Sequence, residues 1–323
     1  VFKLYDTYGF PVDLTKDILD EKGISVDEQR FNDLMTEQRK RARAARKNAG
    51  ADAWKGEQSA LAQLIASRFI GYDTMKSDSI VTAIVQDGEM IECLANNETA
   101  AVVLDATPFY AESGGQAGDT GVLIFEGGVF TVSDTIRSQN NVILHIGTLS
   151  KGELNTGVVV TASVDEEKRK ATMRNHTAAH LLQAALRKVL GAHVEQAGQM
   201  VDPSRMRFDF THFSALTPNE LCEVETLVNQ WILQSVAADI KEMPMEEAKK
   251  LGALALFGEK YGDVVRVVRI QDQSKNTVSA ELCGGTHMDN TSRLGLFRII
   301  SESSVASGVR RIEAVTGENV LEL

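Results

Sequence analysis

Two pairs of metal-ligating side chains, far apart in the chain, constrain this fold more than any other feature. The first pair sits in the helical pattern between Asp165 and Gly191. There His176-Thr177-Ala178-Ala179-His180 runs on through Leu181, Leu182, Ala185, Leu186, Val189 and Leu190. Residues four apart lie on one helical face, so both imidazoles can converge on one ion. Alone, that spacing also fits two histidines on an otherwise buried helix. The second pair is Cys283-Gly284-Gly285-Thr286-His287, which follows a strand-like run from Thr277 to Leu282. A thiolate with three imidazoles is a ligand set of borderline softness, suited to a single tetrahedral zinc ion. The two glycines let the backbone turn at the strand end, so that Cys283 and His287 can face one point. If both pairs hold the same ion, the fold must seat this helix against the end of that strand.

With 323 residues, 43% of them hydrophobic, the chain is expected to build two or three cores. Its three cysteines, Cys93, Cys222 and Cys283, leave no room for a disulfide framework, and a cytoplasmic location follows most simply. Cys93 and Cys222 lie in apolar patterns and read as packed thiols. No run is long enough to span a membrane. The first residue is Val1, which points to a piece of a longer protein. A net charge of -11 excludes a protein that attracts nucleic acid with its whole surface, so contact with RNA must be local and DNA is not expected. The densest basic cluster, Arg39-Lys40-Arg41 with Arg43, Arg46 and Lys47, reads as a solvated helix face.

The fold class read from the pattern is multidomain α+β. Residues 1–70 read as a helical segment, with a last short helix containing Leu61, Leu64, Ile65 and Phe69. Residues 71–164 alternate like strands, with Asp87-Gly88 as a tight hairpin turn, and suggest a small antiparallel β-barrel. Within it the stretch from Phe109 to Asp119, with Gly114 and Gly115, reads as a tightly turned loop without the Gly-Lys-Ser/Thr of a phosphate-binding loop. Residues 165–323 read as helices on an antiparallel sheet. Thr217-Pro218-Asn219-Glu220 announces a helix reaching about Ala238, Met245 to Phe257 reads as a further helix, and Val194 to Val201 as a loop.

These residues resemble the alanyl-tRNA synthetases. Tyr5-Asp6-Thr7-Tyr8-Gly9-Phe10-Pro11 looks like the end of that family's tRNA-recognition region. Tyr110-Ala111-Glu112-Ser113-Gly114-Gly115-Gln116 is similar to its barrel signature. His176 to His180 and Cys283 to His287 are similar to its editing-site motifs, and Ser301 to Ala314 to the strand pair that follows. The resemblance covers essentially the whole chain. It implies that residues 165–323 form an editing domain, which hydrolyses the ester of tRNA(Ala) mischarged with serine or glycine at its aminoacylated 3' end. Such a second site is needed because one methylene separates competitors by only ~1–3 kcal/mol in a binding pocket. The resemblance places ATP and magnesium in a region N-terminal to this segment and dimerisation in a region C-terminal to it, so the segment is not expected to activate alanine. The family commonly has serine where this chain has Gln199. A freestanding editing protein and the editing domain of threonyl-tRNA synthetase share the metal motif, but the lead-in from Val1 to Asp13 favours the alanyl family. A non-catalytic tRNA-binding module with structural zinc is the rival from another class.

The expected ligands are His176, His180 and Cys283, with His287 as a longer or displaceable fourth, since a catalytic ion needs an open position. Thr177 is the expected catalytic helper through its hydroxyl, and Gln196 a second through its amide. Of Arg310 and Arg311, on opposite faces of a strand, one is expected to meet RNA phosphate and the other an acid.

Overall fold

A computed structural model describes residues 64–138, 140–254 and 262–323, with the isolated positions Thr15, Leu19, Lys22, Asp27 and Arg30. The helical reading of the first sixty residues and the basic cluster from Arg39 to Lys47 lie outside the described residues. The last part of that reading is corrected. Residues 65–70 are extended, and strand β1 (Arg68–Phe69) pairs in parallel with Ala106–Thr107. Leu64 nevertheless packs on the next unit, against the cluster of Val85, Ala101 and Val103.

The alternating pattern after Gly71 forms β2 (Lys76–Gln86), β3 (Glu89–Ile91), β4 (Cys93–Leu94), β5 (Thr99–Leu104), β6 (Ala106–Thr107), β7 (Gly121–Phe125), β8 (Gly128–Arg137), β9 (Ile143–Lys151), β10 (Leu154–Asn155) and β11 (Val159–Val164). Six of them close an antiparallel barrel in the order β11-β7-β8-β9-β5-β2, and β11 returns to pair with β2. Closure removes the unpaired sheet edges. Asp87 and Gly88 both adopt positive φ, 48° and 90°, joining β2 to β3 as the two-residue turn their sequence calls for. Side chains alternate between two apolar clusters on opposite strand faces: Val102 and Leu104 join Phe130 and Leu149, whereas Ala101 and Val103 join Val85 and Leu144. Cys93 is exposed because its neighbour Leu94 takes the buried face of β4, which corrects its reading as a packed thiol.

Helix α1 (Glu166–Leu190) follows at once, capped by Asp165, whose carboxylate accepts from the Lys168 N–H. Every residue from Asn175 to Gln183 is buried, so this helix is enclosed on all sides rather than lying on a surface. One side meets the four-stranded sheet of β12 (Gln196–Val201), β13 (Met206–Thr211), β17 (Phe297–Ala306) and β18 (Val309–Thr316), ordered β12-β13-β18-β17. Another meets α2 (Pro218–Leu233). Leu182, Leu186, Phe208, Phe210, Val224, Val228 and Ile312 form their common core. The reading of residues 194–201 as a loop is thus corrected to a strand over Gln196–Val201. The capping box at Thr217 and Glu220 is present, but α2 ends at Leu233: Ser235 is left-handed at φ 54° and Ala238 already belongs to β14 (Ala238–Pro244). Cys222 lies off the buried stripe of α2 and is exposed. Helix α3 (Met245–Lys250) is shorter than expected, stopping before Gly252 at φ 71°, and 255–261 fall outside the described residues. A second sheet, β14-β15-β16, contains β15 (Val264–Gln271) and β16 (Thr277–Leu282). Its last strand delivers the Cys283 loop to the side of α1. No described helix is long and apolar enough to cross a membrane.

Arg310 and Arg311 are both paired with acids. Arg310 Nη2 donates to Glu302 at 2.8 Å, and Arg311 makes two bonds to Asp209 at 2.7 and 2.8 Å.

Candidate metal centre

The ligand atoms of His176, His180, Cys283 and His287 all lie within 4.8 Å of one another, and three of the four residues are buried. Both pairs predicted from spacing, the two histidines of the helix and the cysteine and histidine of the loop, therefore reach one point. The first two rings stack one turn apart with centroids at 5.6 Å, and His287 tilts against them at 4.4 and 4.9 Å. Cys283 Sγ lies 3.5 Å from His176 Nε2 and 3.2 Å from His287 Nε2. Thiolate and imidazole ligands of a tetrahedral zinc ion stand roughly 3.5 Å apart, given the usual bond lengths.

Each ring turns Nε2 inward because something else holds its Nδ1. His176 Nδ1 lies 2.8 Å from Gln116 Oε1, and His287 Nδ1 lies 3.4 Å from Thr177 Oγ1. His180 Nδ1 lies 2.8 Å from the buried Glu281 carboxylate, a close but bent contact, and Ser279 donates to that carboxylate's other oxygen at 2.8 Å. His180 Nε2 has no hydrogen-bond partner among the described residues although it is buried. A buried imidazole nitrogen without a partner is costly. A cation at the centre of the cluster removes that cost, so the donor set fits a metal ion.

Charge follows the same geometry. Burial raises the Cys283 thiol, but the His176 and His287 imidazoles beside it bring it well below the ordinary thiol range. Burial pushes His287 down to about 3 against the pull of Cys283. For His180 burial also lowers the pKa, yet the Glu281 carboxylate and Cys283 together outweigh it and carry the group up to about 10. The surroundings thus favour a thiolate at Cys283, the form in which cysteine ligates a metal.

The loop between Cys283 and His287 is fastened from outside. Arg266 Nη1 donates to the carbonyls of Cys283 and Gly285 at 2.9 and 2.7 Å, and its guanidinium lies 4.0 Å over the Tyr72 ring. Tyr72 donates its hydroxyl to the Gly284 carbonyl at 2.6 Å. The two glycines differ in kind. A Cβ on Gly285 would stand 2.1 Å from the His176 ring, whereas one on Gly284 would meet nothing nearer than 4.0 Å. Neither has positive φ, so close approach, not turning, requires Gly285.

Two cavities flank this loop. The larger, about 420 Å³, reaches His287 beside Tyr72, Arg169 and Lys241. The smaller, about 300 Å³, is lined by Tyr110, Ser113, Gly114, His176, Gln199 and Cys283. We assign the smaller as the approach to the cluster, because it is lined by both Cys283 and His176. Gln199 donates to the Gly114 carbonyl at 2.7 Å and its amide nitrogen lies 3.4 Å from His176 Nε2. Gln196 opens β12 opposite Phe210 and is not among the residues lining either cavity. Thr177 is fully buried, and its hydroxyl accepts from the Met288 N–H at 3.0 Å, so it faces the loop and His287 rather than a cavity. Sequence reasoning missed Gln116, Glu281, Tyr72 and Arg266. The Ser113-Gly114-Gly115-Gln116 stretch was visible, but nothing local says that its glutamine reaches across to the helix.

Comparison with known proteins places this geometry. A family model described as "tRNA synthetases class II (A)" matches residues 1–168. A second, described as "Threonyl and Alanyl tRNA synthetase second additional domain", matches residues 265–313 and so includes Cys283 and His287. The chain is 49% identical over 323 residues to an alanine–tRNA ligase of Acetivibrio thermocellus, covering all of this chain and 36% of that protein. It is 49% identical to that of Clostridioides difficile over 322 residues, 99% of this chain and 36% of the relative. With that of Geobacillus kaustophilus the figures are 50% over 318 residues, 98% and 35%. The chain therefore spans about a third of the length of these relatives. On these matches the chain belongs to the alanyl-tRNA synthetase family of class II (A) tRNA synthetases.

Proposed function

We propose that this chain carries the editing site of an alanyl-tRNA synthetase, hydrolysing the ester that joins a wrongly attached serine or glycine to the 3' end of tRNA(Ala). In this reading residues 71–164 are the barrel domain, residues 165–323 the editing domain and residues 1–70 the helical end of the tRNA-recognition region, and the protein works in the cytoplasm. Ligation of alanine with ATP and magnesium belongs to the longer protein. The observation that supports the reading best is the four-ligand cluster bordered on its Cys283 and His176 side by a cavity, within a segment matching the second additional domain of threonyl and alanyl synthetases.

His176, His180, Cys283 and His287 would hold one zinc ion. When bound, zinc supplies a Lewis acid for the ester carbonyl or a water acidified toward pKa ~7. The protein's own groups do the rest. Gln199, Tyr110, Ser113 and Gly114 wall the space for the amino-acid end. Arg266 and Tyr72 keep the Cys283 loop from opening. Thr177 acts through His287, whose Nδ1 it borders, and Glu281 through His180. Gln196 contributes as the start of the strand that carries Gln199.

A deacylation assay on seryl-, glycyl- and alanyl-tRNA(Ala), with zinc measured by elemental analysis on the same preparation, tests this. The expected result is about one zinc per chain and hydrolysis of the seryl and glycyl esters in preference to the alanyl. Stoichiometric zinc without hydrolysis would instead support a tRNA-binding module with a structural ion. Cys283→Ala is expected to abolish hydrolysis of seryl-tRNA while leaving the circular dichroism melt largely unchanged. The apolar core around α1 and α2 does not depend on the cluster, unlike that of a zinc finger.

A further inference from the structure

We propose that Gln116, a residue of the barrel, is the positioning residue of the metal centre: it fixes the tautomer and aim of His176 and binds the Cys283 loop to that ring, so that the ligand set is assembled across two units of the fold. This rests on reading the cluster as a metal centre.

The argument begins with the orientation of one amide. Gln116 is fully buried, and the Thr286 backbone N–H, which can only donate, lies 2.9 Å from Gln116 Oε1. That atom must therefore be the carbonyl oxygen. The amide nitrogen then points at Thr286 Oγ1, 2.9 Å away, which accepts. His176 Nδ1 is 2.8 Å from the same Oε1, so Nδ1 must carry the proton. In the neutral ring this leaves the lone pair of His176 on Nε2, the nitrogen facing Cys283. A single side chain thus selects the tautomer of a ligand on α1 and anchors, through Thr286, the loop that bears two others.

The backbone makes this arrangement stiff. Gly114 and Gly115 turn with φ of 59° and 81°, Ala117 N–H donates to the Val201 carbonyl at 2.9 Å, and Val201 N–H donates to the Gly115 carbonyl at 2.7 Å. The turn is thereby stitched to β12. A Cβ at Gly285 would lie 2.9 Å from Gln116 Oε1, so no space remains for the His176 ring or the amide to swing. Groups that hold the outer nitrogen of a ligating histidine are worth roughly 10–100-fold in metal affinity.

The test is zinc affinity of the whole chain, read by competition with a chromophoric chelator, together with the ring nitrogen NMR signals of His176 in the zinc-free protein. Gln116→Met keeps the volume but removes donor and acceptor. It is expected to weaken zinc binding about 10- to 100-fold and to leave His176 as a mixture of tautomers. Gln116→Glu keeps an acceptor for both Nδ1–H and the Thr286 N–H, and the Thr286 hydroxyl can turn to donate, so it is expected to recover most of the affinity. Should Gln116→Met not fold, Gln116→Ala, where water can enter, carries the comparison. Parental affinity and an unchanged tautomer in Gln116→Met would overturn the proposal. So would a Gln116→Glu protein as weak as Gln116→Met, since the loss would then reflect packing alone. A parent chain that binds no zinc would overturn the metal-centre reading itself, an outcome distinct from either.

Discussion

Gly285 is the residue at which this site tolerates least. Its backbone passes the His176 ring so closely that a methyl group would stand 2.1 Å from it, and 2.9 Å from the Gln116 Oε1 bonded to that ring. Gly285→Ala is therefore expected to leave the chain with well under one zinc per molecule by elemental analysis, while Gly284→Ala, with open space around it, keeps full stoichiometry. Parental zinc in Gly285→Ala would contradict the close packing on which the tautomer argument depends. Gln199 poses a different question, because its amide spans from Gly114 to His176 at the mouth of the smaller cavity. Gln199→Ser shortens that wall, and hydrolysis of seryl-tRNA relative to glycyl-tRNA is expected to change by about 3- to 10-fold, the worth of one hydrogen bond. An unchanged ratio would remove Gln199 from substrate recognition. All four residues of the cluster were legible in the sequence, since helical spacing and a Cys-to-His loop are local signals. Their outer partners were not. Gln116 meets His176 across 60 residues and Glu281 meets the helical His180 from strand β16, and no spacing rule connects such pairs.

At the scale of elements, legibility follows how local the cause is. The turn at Asp87-Gly88 and the capping box at Thr217 were both correct from sequence, for each is decided within four residues. The end of α2 was missed because its last residues are claimed by distant partners: Ala238 N–H donates to the Asp289 carbonyl and β14 pairs with β15. Thiol exposure was misread for the same reason, since an apolar neighbourhood in sequence does not say which face of a strand or helix a cysteine takes. The barrel offers its own test. His145, on β9, is fully buried between the Val102 carbonyl at 2.8 Å and the Thr107 hydroxyl at 2.7 Å, so each ring nitrogen has a partner. Burial carries it down to about 4, with the bond to Val102 pulling weakly upward. An unfolded histidine titrates near 6.5, so between these values the unfolded chain binds the extra proton and stability falls as pH falls. The contribution is intact above pH ~6.5 and lost through pH ~4, amounting to about 3 kcal/mol at ~1.4 kcal/mol per pH unit. Urea melts at pH 7 and pH 4.5 are expected to show a smaller drop in His145→Gln than in the parent, and equal drops would refute the assignment.

At the scale of the molecule, a buried ion pair joins the barrel to the unit that follows it, beside the bonds of Gln116. Arg169, in the second turn of α1 and 1% exposed, donates Nε to both oxygens of Asp119 at 2.8 and 2.9 Å, and its Nη2 bonds the same carboxylate. The guanidinium also donates to the carbonyls of Gly71 and Pro108 at 2.9 and 2.7 Å, and Asp119 accepts from the Tyr110 N–H at 2.6 Å. A pair so enclosed adds little to stability compared with apolar residues of the same shape, but removing one partner leaves a charge buried without its counterion. Arg169→Met is accordingly expected to cost about 3–5 kcal/mol in a urea titration followed by circular dichroism. Asp119→Asn with Arg169→Met should cost less than the sum of the single changes, since neither charge is then stranded. The location of the pair gives it a further consequence. Asp119 lies three residues beyond Gln116 in the turn that reaches the cluster, and Arg169 lies two helical turns before His176 on the same helix. The ion pair therefore fixes the distance between the amide and the imidazole it aims. A folded Arg169→Met chain is expected to bind zinc several-fold more weakly than the parent, although the substituted side chain touches no ligand. Unchanged zinc affinity in a chain destabilised by the full amount would show that the cluster holds its geometry without the joint, and that α1 and the Cys283 loop suffice to build it.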